Sequence, residues 1–284
     1  MERFTFINAK GVGITVGGHR DDFLLTAHSG TTSAEVLTTS RRGFSQNGRF
    51  YVNTHLGVRI ITLEFVTKRE NDVSFYTVKR SLSQKLNPLL GEGTLIYKND
   101  YIEKQITVSV TGMPELTEKD QILGRYTVEF TAHDPFWTDT ADTSKNFSSF
   151  TGGLAFPLQF EGQNIVFAIK GMSQEVYVES DVETSIRVVF SGACVRPVLR
   201  NNSTGKKIVI DTSITNGERI VVTTGYGNKN VVKVTGGGET NVNNLITDDS
   251  EFFSLRPGRN LLAFDADIGT PEITMNYRNL YTGV

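Results

Sequence analysis

The sequence of 284 residues contains one cysteine, one tryptophan and no long apolar run. Because a disulfide needs two thiols, a chain whose one cysteine is Cys194 cannot form an intrachain disulfide. This favours folding in a reducing cytosol. No segment reaches the roughly 18 consecutive apolar residues of a membrane helix, so we predict no membrane span. The first residues lack the apolar stretch and small-residue cleavage site of a secretory signal, and we expect none.

The sequence also lacks a strong charge of either sign. Its formal net charge is −2, with +1 on residues 1–137 and −3 on the remainder. Domains that bind nucleic acid usually carry a clustered basic surface. Neither half is basic enough for that, so we predict no nucleic acid recognition.

No catalytic, cofactor-binding or metal-binding pattern is present. Residues 11–18, GVGITVGG, lack the order of a phosphate-binding loop, and Cys194 lies among apolar neighbours typical of a buried, inert thiol. Asp265 and Asp267 have the spacing of a carboxylate pair that could hydrolyse glycosides, but a polar strand end explains them more simply. We therefore predict no enzyme, no cofactor and no metal site. No histidine has the sequence spacing of a metal site with another histidine or with Cys194. The histidines are His19, His28, His55 and His133.

The clearest secondary-structure signal is in residues 125–137, RYTVEFTAHDPFW. Apolar residues at every second position predict a half-buried strand, which Pro135 ends because it has no N–H to donate. Asp134 is expected to anchor the following turn through backbone N–H groups. The polar run 138–153 then resembles a linker, so we predict domains at 1–137 and 138–284. The predicted domain seam consists of Asp134, Pro135, Phe136 and Trp137.

The first domain is predicted to contain about seven strands and one flanking helix. The helix, at about residues 72–87, follows the apolar stripe Phe75, Val78, Leu82, Leu86 and Leu89, with Asn71 or Asp72 as its cap. Residues 112–114, GMP, are expected to form a turn, followed by an acidic turn at 115–120.

A polar, turn-rich segment at about residues 39–55 predicts a projecting hairpin arm, with Asn47-Gly48 as a turn signal. The arginines on it either fix the register against an acidic partner or keep an exposed loop soluble. The candidate subunit-interface residues on this arm are Arg41, Arg42, Phe44, Arg49 and Tyr51.

The second domain is predicted to contain short strands and no helix, which is typical of a β-sandwich. Residues 256–259, RPGR, have the signature of a type II turn. The predicted strands include 158–160, 165–169, 175–179, 185–190, 195–200, 207–211, 219–224, 231–234, 252–255, 260–265 and 272–277.

Three stretches, taken in order, carry a resemblance to a known family. They are FTAHDPFW (130–137), FFSLRPGRNLLAFD (252–265) and ITMNYRNLYTGV (273–284), the last with Tyr277 and Tyr281. The chain resembles the distal tail proteins of long-tailed bacteriophages, prophages and phage-tail-like particles. The order of the three stretches, the chain length and the single early helix extend the resemblance over nearly the whole chain.

The resemblance implies a tail-tube-like β-sandwich with one flanking helix, followed by a galectin-like β-sandwich. It implies a hexameric ring at the tail tip or baseplate of the virion, assembled in the host cytoplasm, with the arm contacting a neighbouring subunit. The implied partners are the tail tube protein and the tail tip protein or tail-associated lysin, and further candidates are the tape measure and receptor-binding proteins. The alternative is a carbohydrate- or receptor-binding module in the second domain, around Tyr226 and the glycines at 236–238.

Overall fold

The computed structural model describes residues 1–18, 21, 23–68, 72–119, 123–148, 172–269 and 271–284. Contacts along the chain divide it into two units. The first contains Met1–Thr140 and Tyr281–Val284, and the second contains Ala141–Leu280. Strands predominate, and the described ranges contain one α-helix, so the prediction of a mainly β chain with one helix is confirmed.

The elements are numbered along the chain. The strands up to the division are β1 (Arg3–Ile7), β2 (Gly13–Gly17), β3 (Phe23–Ser29), β4 (Val36–Arg41), β5 (Phe50–Leu56), β6 (Arg59–Lys68), β7 (Gly93–Lys98), β8 (Glu103–Lys119), β9 (Leu123–Ala132) and β10 (Trp137–Asp139), and the helix is α1 (Asp72–Lys85). The remaining strands are β11 (Thr143–Ser148), β12 (Met172–Val178), β13 (Ile186–Ser191), β14 (Cys194–Asn201), β15 (Lys206–Val209), β16 (Ser213–Ile214), β17 (Arg219–Gly225), β18 (Asn228–Thr235), β19 (Gly238–Asn241), β20 (Gly258–Gly269), β21 (Glu272–Tyr277) and β22 (Leu280–Tyr281).

The first unit is built on a nine-stranded sheet in the order β22-β10-β8-β7-β1-β2-β3-β6-β9. β8 also pairs with β9, so the sheet closes on itself and encloses a core. The alternating apolar residues of β6 and β9 face this core, as their period of two predicts. They include Ile61, Leu63, Phe65, Tyr126, Val128, Phe130 and Ala132, each buried.

The long strand β8 corrects one prediction. The turn expected at residues 112–114 is wrong, because β8 continues to Lys119 with three register shifts against β9. These bulges bend the strand, so its first part pairs with β7 and its second part with β9. Gly112 fits the bend because a Cβ there would lie 2.8 Å from the Cβ of Glu129.

Leu82 of α1 and Leu86, which directly follows the helix, are fully buried in the core of the first unit. Leu89 was predicted on the same stripe, but that prediction is wrong. The helix ends before Pro88, and Leu89 lies in a 3₁₀ turn, 91% exposed, with its N–H bonded to the side chain of Asn87. The side chain of Phe75 and the proposed cap Asn71 lie outside the described residues. No helix in the described ranges has the length and hydropathy needed to cross a membrane.

The second unit contains two sheets, which confirms the predicted β-sandwich character. Their orders are β11-β21-β13-β17-β18-β19 and β12-β20-β14-β15, with β16 also paired to β14. One apolar cluster fills the core with residues from both sheets, among them Val188, Phe190, Val222, Leu262 and Phe264.

Two predictions for the second half are wrong in part. Residues 252–255 were predicted to form a strand but make only an isolated bridge between Thr184 and Leu255. The run 138–153 was interpreted as a linker, yet it contains β11, an edge strand paired with β21. Over Thr143–Phe147, where burial is described, Phe147 is the one buried residue of β11, so the pattern does not indicate a core strand. The strands predicted at 158–160 and 165–169 lie outside the described residues.

Candidate functional site

β4 and β5 form a two-stranded hairpin, which we call the arm (residues 36–56). Pairing runs from Val36 opposite Leu56 to Arg41 opposite Phe50, with a bulge after Thr39. Among the described strands, these two pair only with each other. An isolated two-stranded hairpin is marginally stable in water. The arm therefore lacks the layer that would normally cover one of its faces.

The arm carries an exposed apolar set beside three arginines. Phe44 at the tip is 103% exposed, Tyr51 is 67% exposed and Phe50 is 63% exposed. Arg49 lies 3.4 Å from the hydroxyl of Ser40. Within the described residues, none of the arm arginines pairs with a carboxylate. Exposed apolar patches rimmed by polar groups are typical of binding surfaces. All five sequence-predicted interface residues lie on this surface: Arg41, Arg42, Phe44, Arg49 and Tyr51.

Two backbone hydrogen bonds close the base of the arm. The N–H of Glu35 donates to the carbonyl of Val58 at 3.2 Å, and the N–H of Gly57 donates to the carbonyl of Glu35 at 2.8 Å. We call residues 33–35 and 57–59 the arm base. The chain therefore enters and leaves the arm at one point, directly beside Arg59.

Arg59 is fully buried, and its guanidinium is surrounded by backbone carbonyl oxygens. Nε donates to Pro135 at 2.7 Å, and Nη2 donates to Thr282 at 2.5 Å. Nη1 lies 2.7 Å, 3.0 Å and 3.2 Å from the carbonyl oxygens of Gly30, Thr31 and Ser33. Burial lowers the pKa of Arg59 from its ordinary value. Among the described residues no carboxylate pairs with it, so carbonyl dipoles stabilise its charge.

Two of the four predicted seam residues, Pro135 and Trp137, contact Arg59 or one of its acceptors. Trp137 is fully buried, and its Nε1 donates to the carbonyl of Thr31 at 3.0 Å. Pro135 is buried and supplies a carbonyl to Arg59. Phe136 is half-buried, and its N–H donates to the exposed Asp134 carboxylate at 3.3 Å, the turn contact expected from the sequence. All four residues belong to the first unit.

A second polar group fixes Tyr281. The Lys104 Nζ lies 3.7 Å from the centre of the Tyr281 ring and 2.5 Å from Asp139 Oδ1. The Tyr281 hydroxyl donates to the same carboxyl oxygen at 3.3 Å. A cation over an aromatic face, next to a carboxylate, holds the ring in one orientation.

Arg59 was not predicted as a site residue, although its position in the strand pattern indicates one. Arg59 occupies the same alternating positions as Ile61, Leu63 and Phe65, so it points toward the core. An arginine in the inward register of a strand indicates a buried cation that needs several acceptors. Lys104 and Asp139 gave no local signal, because their contacts join distant parts of the sequence.

β20 continues to Gly269, so Asp265 and Asp267 lie on the same face of this strand, each with its own partner. Asp267 is exposed and lies 3.6 Å from the guanidinium of Arg196, while Asp265 is half-buried and bonds the N–H of Ala266. Cys194 is buried, which raises its pKa. In the described ranges no group of three or more metal-ligating side chains is present. Residues 11–18 include β2, which pairs with β1.

Comparisons with known families cover more than two thirds of the chain. Residues 37–132 match the family described as phage tail protein RIFT-related domain. Residues 179–281 match the family described as siphovirus-type tail component, C-terminal domain. No curated protein matches the sequence.

Solved structures of phage proteins share the fold. The Dit protein (gp 19.1) of phage SPP1, described as a paradigm of the hub adsorption apparatus of phages that infect Gram-positive bacteria, gives a TM-score of 0.69 at 13% identity over 98% of both chains. Two structures of the phage p2 baseplate in its activated conformation, with Ca and with Sr, give TM-scores of 0.54 at 11% and 12% identity over 100% of both chains. At these identities the similarity establishes the fold.

Proposed function

The chain belongs to the siphovirus-type tail component family as a structural distal tail protein, and from this we propose that it forms a hexameric ring at the tail tip. The ring joins the tail tube to the tip or baseplate and carries the tail-associated lysin or receptor-binding proteins. Its subunits meet through the arm. The protein acts by assembly within the virion and has no catalytic role.

The arm is the observation that carries this proposal. Its two strands have open edges, exposed aromatic side chains and arginines without a carboxylate partner among the described residues. A heterologous contact, in which each arm binds a different surface of the next subunit, generates a closed ring when the rotation closes. The arginines supply charge that fixes the register against an acidic surface.

The proposed partners follow from a ring position. One face of the ring would meet the tail tube protein and the other the tip protein or lysin. The tape measure and receptor-binding proteins are further candidates. Assembly would take place in the host cytoplasm before the particle is released.

Light scattering across protein concentration and salt tests the ring. The wild type is expected to form a hexamer, or a monomer that associates reversibly toward one. Deleting residues 40–54 should reduce association, because it removes the arm but leaves the arm base. Two single changes are compared. Phe44→Ser removes an exposed aromatic side chain from the arm, and Leu89→Ser removes an apolar side chain elsewhere that is 91% exposed. Equal association of these two variants would contradict the proposal.

A second candidate function is carbohydrate or receptor binding by the second unit. Tyr226 favours it, because this residue lies in the turn between β17 and β18 and is 104% exposed. Exposed aromatic rings stack on sugars and anchor protein partners. A glycan array probed with the wild type and with Tyr226→Ala tests carbohydrate binding. No binding of the wild type to the array would contradict this function.

A further inference from the structure

The segment Tyr281–Val284 lies against the residues that lead into the arm. The carbonyl of Thr282 accepts from Arg59, and the N–H of Val284 donates to the carbonyl of Thr31 at 3.3 Å. Gly283 packs so closely that a Cβ there would lie 3.0 Å from the carbonyl oxygen of Thr32. Three successive residues of this segment therefore contact Arg59 or the chain just before the arm base.

Arg59, itself in the arm base, connects this segment to both sides of the base. Its Nη1 group holds the carbonyls of Gly30, Thr31 and Ser33, which are the residues that precede Glu35. Arg59 also directly follows Val58, whose carbonyl accepts from Glu35. Both strands of the arm are thus connected to one guanidinium.

We propose that the segment Tyr281–Val284 positions the arm, by completing the carbonyl shell of Arg59 and thereby fixing the arm base. The strands of the arm extend about 20 Å at roughly 3.3 Å per residue. A small rotation at the base therefore moves Phe44 at the tip by a much larger distance. A fixed base also reduces the conformational entropy that the arm loses when it binds a neighbouring subunit.

The order of these residues in the sequence gives the contact a second consequence. The segment Tyr281–Val284 follows the whole second unit, yet it belongs to the first unit. Units generally fold in the order of synthesis. The arm base therefore reaches its final structure only after the second unit has been synthesised.

Amide hydrogen exchange in single subunits tests the positioning. The N–H groups of Glu35 and Gly57 close the arm base, so their exchange reports its opening. In Gly283→Val, which pushes the segment off Thr32, we expect exchange at both amides about ten- to a hundredfold faster. Gly236→Val is the matched control, because a Cβ at Gly236 has no atom within 4 Å. Unchanged exchange in Gly283→Val would overturn the proposal.

A second variant separates positioning from loss of the fold. Arg59→Lys keeps the positive charge but loses the planar fork that reaches several carbonyls at once. We expect faster exchange at Glu35 and Gly57 and unchanged exchange in β13 of the second unit. Amide exchange at Glu35 and Gly57 as slow as in the wild type would overturn the proposal that the Arg59 guanidinium fixes the arm base.

The role of Tyr281–Val284 in assembly rests on the proposed ring. Failure of the ring proposal and failure of the arm-positioning proposal give different results. A wild type that stays monomeric by light scattering contradicts the ring, while exchange at Glu35 still decides whether the segment positions the arm. If the wild type forms the ring, Gly283→Val should require a higher protein concentration to do so. Ring formation at the wild-type concentration would overturn the assembly role of Tyr281–Val284.

Discussion

The guanidinium of Arg59 donates to the carbonyl oxygen of Thr282 at 2.5 Å, although the two residues lie 223 positions apart in the sequence. The same guanidinium contacts the carbonyls of Thr31 and Pro135, so three segments of the first unit meet at one cation. Arginine suits this position because its planar fork presents five N–H donors in fixed directions and its charge is retained at all ordinary pH values.

Arg59→Ala is expected to destabilise the first unit strongly. The change removes a donor from five backbone carbonyls at a buried site. The Thr31 carbonyl keeps its bonds from Trp137 and Val284, but each carbonyl left without a partner costs about 1–3 kcal/mol. Because water will satisfy some of them, we expect the free energy of unfolding to fall by at least about 3 kcal/mol. Urea denaturation followed by Trp137 fluorescence measures this, since the only tryptophan lies buried in the same core.

Arg42→Ala is the control for this measurement. Arg42 is exposed on the arm, and its Nε donates to the carbonyl of Gln46 at 2.9 Å. Exposed substitutions of this kind usually change stability by less than about 0.5 kcal/mol. Equal unfolding free energies for Arg42→Ala and Arg59→Ala would contradict a structural role for the buried guanidinium.

Gly30 and Gly48 form a matched pair, because both have φ of +83°. A Cβ at Gly30 would lie 1.9 Å from the carbonyl oxygen of Ile60, whereas a Cβ at Gly48 has no atom within 4 Å. Gly48→Ala should cost only the left-handed strain of about 1–2 kcal/mol, confined to the arm. Gly30→Ala should cost more, because the backbone beside Arg59 must also move. Thermal unfolding of the two variants gives the comparison, and equal midpoints would contradict it.

Local alternation predicted much of this fold. Val128 and Phe130 point into the core as their period of two indicates, and β9 ends at Ala132, shortly before Pro135, as expected. The helix was found from Leu82 and Leu86 for the same reason. Periodicity succeeds at these positions because burial on one face of an element is encoded within a few residues.

The errors arise where distant contacts override local pattern. Gly112 and Pro114 indicated a turn, but pairing with β9 keeps them within a bulged strand. β11 has the polar composition of a linker because it is an edge strand, in which Phe147 is the one buried residue between Thr143 and Phe147. The shell around Arg59 was not predictable, since its acceptors are backbone carbonyls brought together by tertiary structure alone.

Cys194 should react slowly with thiol reagents in the native protein. Its side chain is buried, and burial raises its pKa, so both access and the thiolate fraction are low. Absorbance during reaction with an aromatic disulfide reagent at pH 8 is expected to rise slowly in buffer and rapidly in denaturing urea. A fast native reaction would show that β14 opens readily at this position.

Glu218 should give the second unit a dependence on acid pH. The pKa of Glu218 is lowered to about 2, first by the backbone N–H of Thr215 and then by Lys233, whose Nζ lies 3.0 Å away. The pKa in the folded state is below the ordinary value, so the carboxylate stabilises the fold above about pH 4.5. That contribution is lost as the pH falls from this value toward 2.

Carbon NMR of the Glu218 carboxyl group measures this pKa directly, and Lys233→Met provides the control. Removing Lys233 should raise the pKa of Glu218 only part of the way, because the larger effect, the N–H of Thr215, remains. In urea denaturation, Glu218→Gln should be less stable than the wild type at pH 7, and the difference should shrink as the pH approaches 2. A difference that stays constant over this range would show that the ionised carboxylate makes no contribution, and that the turn between Thr215 and Glu218 depends on hydrogen bonds that an amide can also make.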